Sequence, residues 1–91
     1  METLLAMLKV DLGIRSTTLY DGRLTQLVTA AQAAIRKEGA SDLDASAPLD
    51  QQLIVMYAAW LWRRRDDMPG MPRALRLMLN NRVFSGVTAH D

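Results

Sequence analysis

The chain is expected to fold as an all-α protein, a small bundle of about four helices. Ala, Leu, Met, Arg and Gln, all good helix formers, are plentiful. β-branched residues rarely alternate in period two, so the pattern of a half-buried strand is missing. Apolar residues instead recur at helical spacing between short polar, Gly- or Pro-bearing breaks. A chain of 91 residues has room for one domain, taken as 1–91, with a small core and a thin stability margin.

The first helix is expected at about 2–11, where Leu4, Leu5, Met7 and Leu8 give an apolar face and Gly13 a stop. The second, at about 18–38, is the clearest. Leu24, Leu27, Val28, Ala31 and Ile35 fall on one stripe. Thr17 or Thr18 is the expected cap, Asp21 suits the positive end of the helix dipole, and Arg36 and Lys37 precede the stop at Gly39. The stretch "ASDLDASAPL" connects to a third helix at about 50–66, which "DDMPGMP" breaks. Pro72 then suits the first position of a fourth helix at about 72–84, on which Leu75, Met78, Leu79 and Val83 must be buried. The closing "SGVTAHD" is expected to be an irregular tail, frayed or ordered by a partner.

Composition removes several function classes. With no cysteine, neither a disulfide framework nor a thiolate metal site is available. The N-terminus carries Glu2 early and has no basic region or small-residue cleavage site, so no export signal is expected and the cytoplasm of the cell that makes it is the expected location. Residues 1–50 hold five basic and seven acidic residues, a net −2; residues 51–91 hold six arginines and three aspartates, a net +3. That polarity suits different partners at different ends, yet it is too weak to announce a nucleic-acid binder.

The third helix contains ten unbroken apolar residues, "LIVMYAAWLW", followed by "RRRDD". A membrane span needs about 20 apolar residues, and ten rise only about 15 Å, so length excludes it. Leu53, Tyr57, Trp60 and Leu61 form one stripe; Val55, Ala59 and Trp62 form another. The two indoles therefore point to different surroundings. One arrangement buries the whole helix within its own protomer. The other gives one side to the core and another to a neighbouring subunit. Arg63, Arg64 and Arg65 are expected in the last turn, where cations match the helix dipole, with Asp66 and Asp67 neutralising much of the charge.

No enzyme is expected. The only histidine, His90, adjoins the C-terminus, and Ser16, Thr17 and Thr18 stand where turns and caps need hydroxyls. Asp42, Asp44 and Asp50 lack metal-loop spacing, and no phosphate-cradling glycine pattern occurs. No cofactor or metal is therefore expected. A helix–turn–helix reading, with Arg73, Arg76, Asn80 and Asn81 facing DNA, keeps a small DNA-binding or regulatory module as the alternative, although "MPGMP" is a stiff turn for that motif. A generic helical interaction domain is the third reading.

The segment "LIVMYAAWLWRRRDDMPGMPRALRLMLNNRVFS" resembles the C-terminal part of small head–tail connector proteins of long-tailed bacteriophages, and "YDGRLTQLVTAAQAAIRKEG" is similar to their amphipathic second helix. The resemblance implies an all-helical virion protein, an adaptor or head-completion factor in the neck between head and tail. It implies a homo-oligomeric ring that docks beneath the portal after DNA packaging, extends the DNA channel and presents a surface to a further head-completion or tail-terminator protein. Packaged DNA would pass through without being read by sequence, and no membrane is involved. In such a ring Tyr57, Trp60 and Trp62 are candidates for core and protomer contacts. Arg63, Arg64, Arg65, Met68 and Met71 are candidates for contacting a neighbour or the portal.

Overall fold

The computed structural model describes residues 1–14, 17–64 and 70–88. They form four helices, α1 (Glu2–Leu12), α2 (Asp21–Lys37), α3 (Pro48–Arg63) and α4 (Arg73–Thr88), with no strand among the described residues. The all-helical expectation holds at that level. α3 packs against each of the other three helices and α1 also packs on α2, whereas α1 and α4 share no substantial seam. The Cα trace is a slab of 45 × 32 × 17 Å.

Two glycine stops are built alike. Gly13 takes the left-handed conformation (φ 70°) after α1, donating its N–H to Val10 O, while Ile14 N–H reaches Lys9 O at 2.9 Å. After α2, Gly39 N–H bonds Arg36 O and Ala40 N–H bonds Ile35 O. Both are Schellman closures, which satisfy otherwise orphaned carbonyls and need a residue tolerant of positive φ.

The stripe expected on α2 is the stripe observed: Leu24, Leu27, Val28, Ala31 and Ile35 are all buried. They meet Leu4 and Leu8 of α1, Leu53, Ile54, Val55, Tyr57, Ala58 and Ala59 of α3, and Leu75 and Leu79 of α4 in one core. Met78 and Val83 are half-buried against it.

Several boundaries differ from the sequence expectation. α2 starts at Asp21, not near 18, and neither threonine caps it. Thr17 Oγ1 instead accepts the Leu19 N–H at 3.2 Å, holding a separate turn before the helix. Asp21 is drawn to α1 as well as to the dipole: its carboxylate lies 2.7 Å from Lys9 Nζ, which also donates to Thr17 O at 2.9 Å. α3 begins at Pro48, whose missing N–H is no loss in the first turn. It ends at Arg63, because Arg64 turns extended (ψ 135°). Arg63 therefore belongs to the helix and Arg64 does not, while Arg65 lies outside the described residues. α4 runs to Thr88, so the first four residues of the expected irregular tail are helical; Ala89–Asp91 lie outside the described residues. Without a proline after Pro72, nothing in "RVFSGVT" forces an earlier stop.

Candidate functional site

The C-terminal half of α3 collects the aromatic and cationic side chains that the sequence singles out. The two indoles go to different partners. Trp60 meets Tyr57 edge-on, with centroids 5.5 Å apart and planes at 85°. Trp62 meets Tyr20, at the start of α2, at 5.7 Å and 83°. Edge-to-face pairs of this kind place a positive ring edge on a negative face, worth about 1 kcal/mol beyond burial. Tyr57 is buried, while Trp60 and Trp62 are half-buried against the core. Among the described residues no acceptor reaches the buried Trp60 Nε1. Trp62→Ala is expected to lower stability by about 2 kcal/mol, less than a fully buried aromatic would lose. Urea unfolding of the variant checks this.

Among the described basic candidates, Arg63 and Arg64 are both engaged within the protomer. Arg63 donates to Asp11 O at 2.9 Å and lies 3.6 Å from the Asp11 carboxylate, so it ties the ends of α1 and α3 together. Arg64 Cζ sits over the Trp60 ring, 5.5 Å from its centroid, a cation–π contact at an exposed site. Met71 is half-buried against the core. Arg65 and Met68 lie outside the described residues.

Two open apolar depressions flank this region. The larger, about 590 Å³, is a trough between α1 and α3 lined by Met7, Val10, Asp11, Pro48, Gln52, Val55 and Met56. A cleft of about 230 Å³ continues from Asp11 and Met56 along α3 to Trp60, Arg63 and the start of α4. Neither converges several polar groups on one point, as a small-molecule site would.

The strongest polar arrangement lies at the opposite end of α3. Asp50 is buried there, its side chain only 7% exposed. Arg82 of α4 grips it with two bonds, Nε to Oδ1 at 2.7 Å and a terminal nitrogen to Oδ2 at 3.2 Å. Asp44 N–H adds a third at 2.9 Å. Arg82 also reaches Asp42, 3.2 Å to the carboxylate and 3.3 Å to the main-chain oxygen. One guanidinium thus binds α4, the first turn of α3 and the 38–47 connection into a unit. Bidentate charge-assisted bonds of this type are the strong ones. Arg82 therefore adds little to any basic surface, its charge being spent internally. Arg76 likewise lies 3.7 Å from Glu38.

This node makes stability depend on acid. Burial pushes the Asp50 carboxyl up, but the Arg82 guanidinium and the Asp44 N–H outweigh it and leave it below the usual carboxylate range. The Ser46 hydroxyl and N–H lower exposed Asp44 as well. A depressed folded-state pKa stabilises fully above the unfolded value of about 3.9, and that contribution disappears as pH falls through the folded value. Wild-type Tm is therefore expected to be level near neutrality and to drop below about pH 4. Asp50→Asn should flatten much of that drop, leaving the part due to Asp44; melts from pH 7 to pH 2.5 measure both.

No protein-family model matches the chain, and neither a curated protein nor a solved structure is similar enough to count as a match. Among the described residues no helix is long and apolar enough to cross a membrane, and no three His, Asp or Glu side chains are arranged to hold a metal ion.

Proposed function

We propose that the chain is a ring-forming head–tail connector of a long-tailed bacteriophage. It docks under the portal once DNA is packaged, extends the channel and offers the attachment surface for the next head-completion or tail protein. It has no catalytic role, is made in the host cytoplasm and ends in the virion neck. α3 is the long apolar central helix of each protomer in this reading.

The observation that carries the reading is the spread of large exposed apolar side chains over a thin slab. Val10 on α1 is 82% exposed, Leu19 ahead of α2 76% and Leu49 on α3 77%; Leu77 on α4 is half exposed. A ring protomer needs two unlike side surfaces and further contacts above and below, so apolar groups on several sides are what such a subunit requires. The alternative of a DNA-binding module is less well supported, because Arg76 of its expected DNA face is paired with Glu38, and Arg63 and Arg82 also have acidic partners within the protomer. The test is co-sedimentation of the full chain with the portal protein of the same genome, alongside titration with short duplex DNA at low salt. Saturable portal binding with no duplex binding is expected. Salt-dependent duplex binding without portal binding would replace this function with the alternative.

A further inference from the structure

We propose that the trough between α1 and α3 receives the outward face of α4 from a second copy of this chain. The argument is one of matched apolar and charged spacing. On the trough side, Met7, Val10 and Met56 offer an apolar bed above buried Val55, and Asp11 stands one helical turn beyond Met7. On the α4 side, Leu77 projects from a face whose neighbours Arg73, Asn80 and Asn81 are all exposed, and Arg73 stands one turn before Leu77.

Both intervals are four residues, about 6 Å along a helix axis. Laying α4 antiparallel to α1 therefore brings Leu77 over Met7 and Val10 while Arg73 meets Asp11. The charges agree: Arg73 is exposed on this face, and α4 carries no acidic residue to oppose it. The Asp11 side chain is 42% exposed, and Arg63 approaches its carboxylate only to 3.6 Å, with its short bond going to the main-chain oxygen instead. A second cation has room there. Met7 and Met56 suit the receiving side, since unbranched thioethers adapt to an incoming side chain.

The two surfaces differ, so the contact is heterologous. Each copy gives its α4 to one neighbour and its trough to another, which produces a closed ring when the rotation closes. The closed ring rests on the connector reading, whereas the pairwise contact rests on the two surfaces alone.

Because the chain has no cysteine, introduced thiols report the contact directly. Met7→Cys and Leu77→Cys variants, mixed and oxidised, are expected to give a disulfide between unlike chains, and the double variant a ladder beyond the dimer. A bridge requires Cα atoms within about 7 Å, so random encounter is a poor substitute. Absence of the mixed disulfide, or disulfides forming only between like chains, would overturn the contact. Arg73→Asp is expected to weaken self-association about tenfold in sedimentation velocity, with the thermal melt unchanged, and adding Asp11→Arg should restore it. Failure of that restoration would also count against the register. A ladder without portal binding keeps the contact and removes the connector function; portal binding without a ladder does the reverse.

Discussion

Asp50→Ala is expected to destabilise the protein by about 3 kcal/mol, because it leaves Arg82 largely buried with its principal counter-charge removed. The Arg82 side chain is only 20% exposed and Asp42 alone remains to it, so the guanidinium recovers little solvation. Arg82→Ala should lose a similar amount by stranding Asp50. The double variant should lose much less than the sum, since the two residues form one network. Replacing both with apolar residues of similar volume, Asp50→Leu with Arg82→Met, is expected to recover most of the stability. Urea midpoints at neutral pH measure the series. Additive single losses would mean that Asp50 and Arg82 do not act as a pair. A loss of this size also lowers Tm by about 4–8 °C per kcal/mol in a domain of this length.

The second large effect is expected at Gly39. Its φ of 132° lies where side chains other than hydrogen are strained, and a Cβ there would fall 2.8 Å from Val83 Cγ1 on α4. Gly39→Ala therefore combines about 1–3 kcal/mol of backbone strain with a steric overlap of similar size, about 3 kcal/mol together. The second variant Val83→Ala separates the two. Placed in the Gly39→Ala background it should recover the steric part and leave the backbone part. Recovery of the whole loss would show that the left-handed closure of α2 contributes nothing. The same glycine thus ends one helix and lets another approach it.

The contrast between these sites and the rest shows what the sequence makes legible. The stripe on α2 and the stops at Gly13 and Gly39 were readable because periodicity and φ preference are local properties. The end of α3 was not, because Arg64 leaves the helix to lie over Trp60, a tertiary choice that helix propensity opposes. The Asp50–Arg82 node left a trace nonetheless. Asp50 shares a helical face with Leu53, Ile54 and Tyr57, and Arg82 follows Leu75 and Leu79 on the buried stripe of α4. A charge on each of two buried stripes, opposite in sign, points to a pair. Periodicity did not reveal that the 38–47 connection joins it, through Asp42, 40 residues from Arg82 in the chain, and through the Asp44 N–H, which bonds Asp50 six residues on. The aromatic candidates were placed on separate sides of α3 by helix geometry alone, and Tyr57 and Tyr20 fill those two sides. The resemblance made Arg63 a candidate outward contact, and no local signal pointed to its acidic partner, Asp11, 52 residues away.

The central claim is that this slab-shaped helical chain is a subunit of a ring seated on a portal. Cryo-electron microscopy of the portal protein of the same genome, mixed with excess full-length chain, tests it most directly. The predicted image is a second ring of density coaxial with the portal, continuing its channel, built from subunits whose α4 lies in the α1–α3 trough of the next. Bare portal rings at saturating chain concentration would contradict the account.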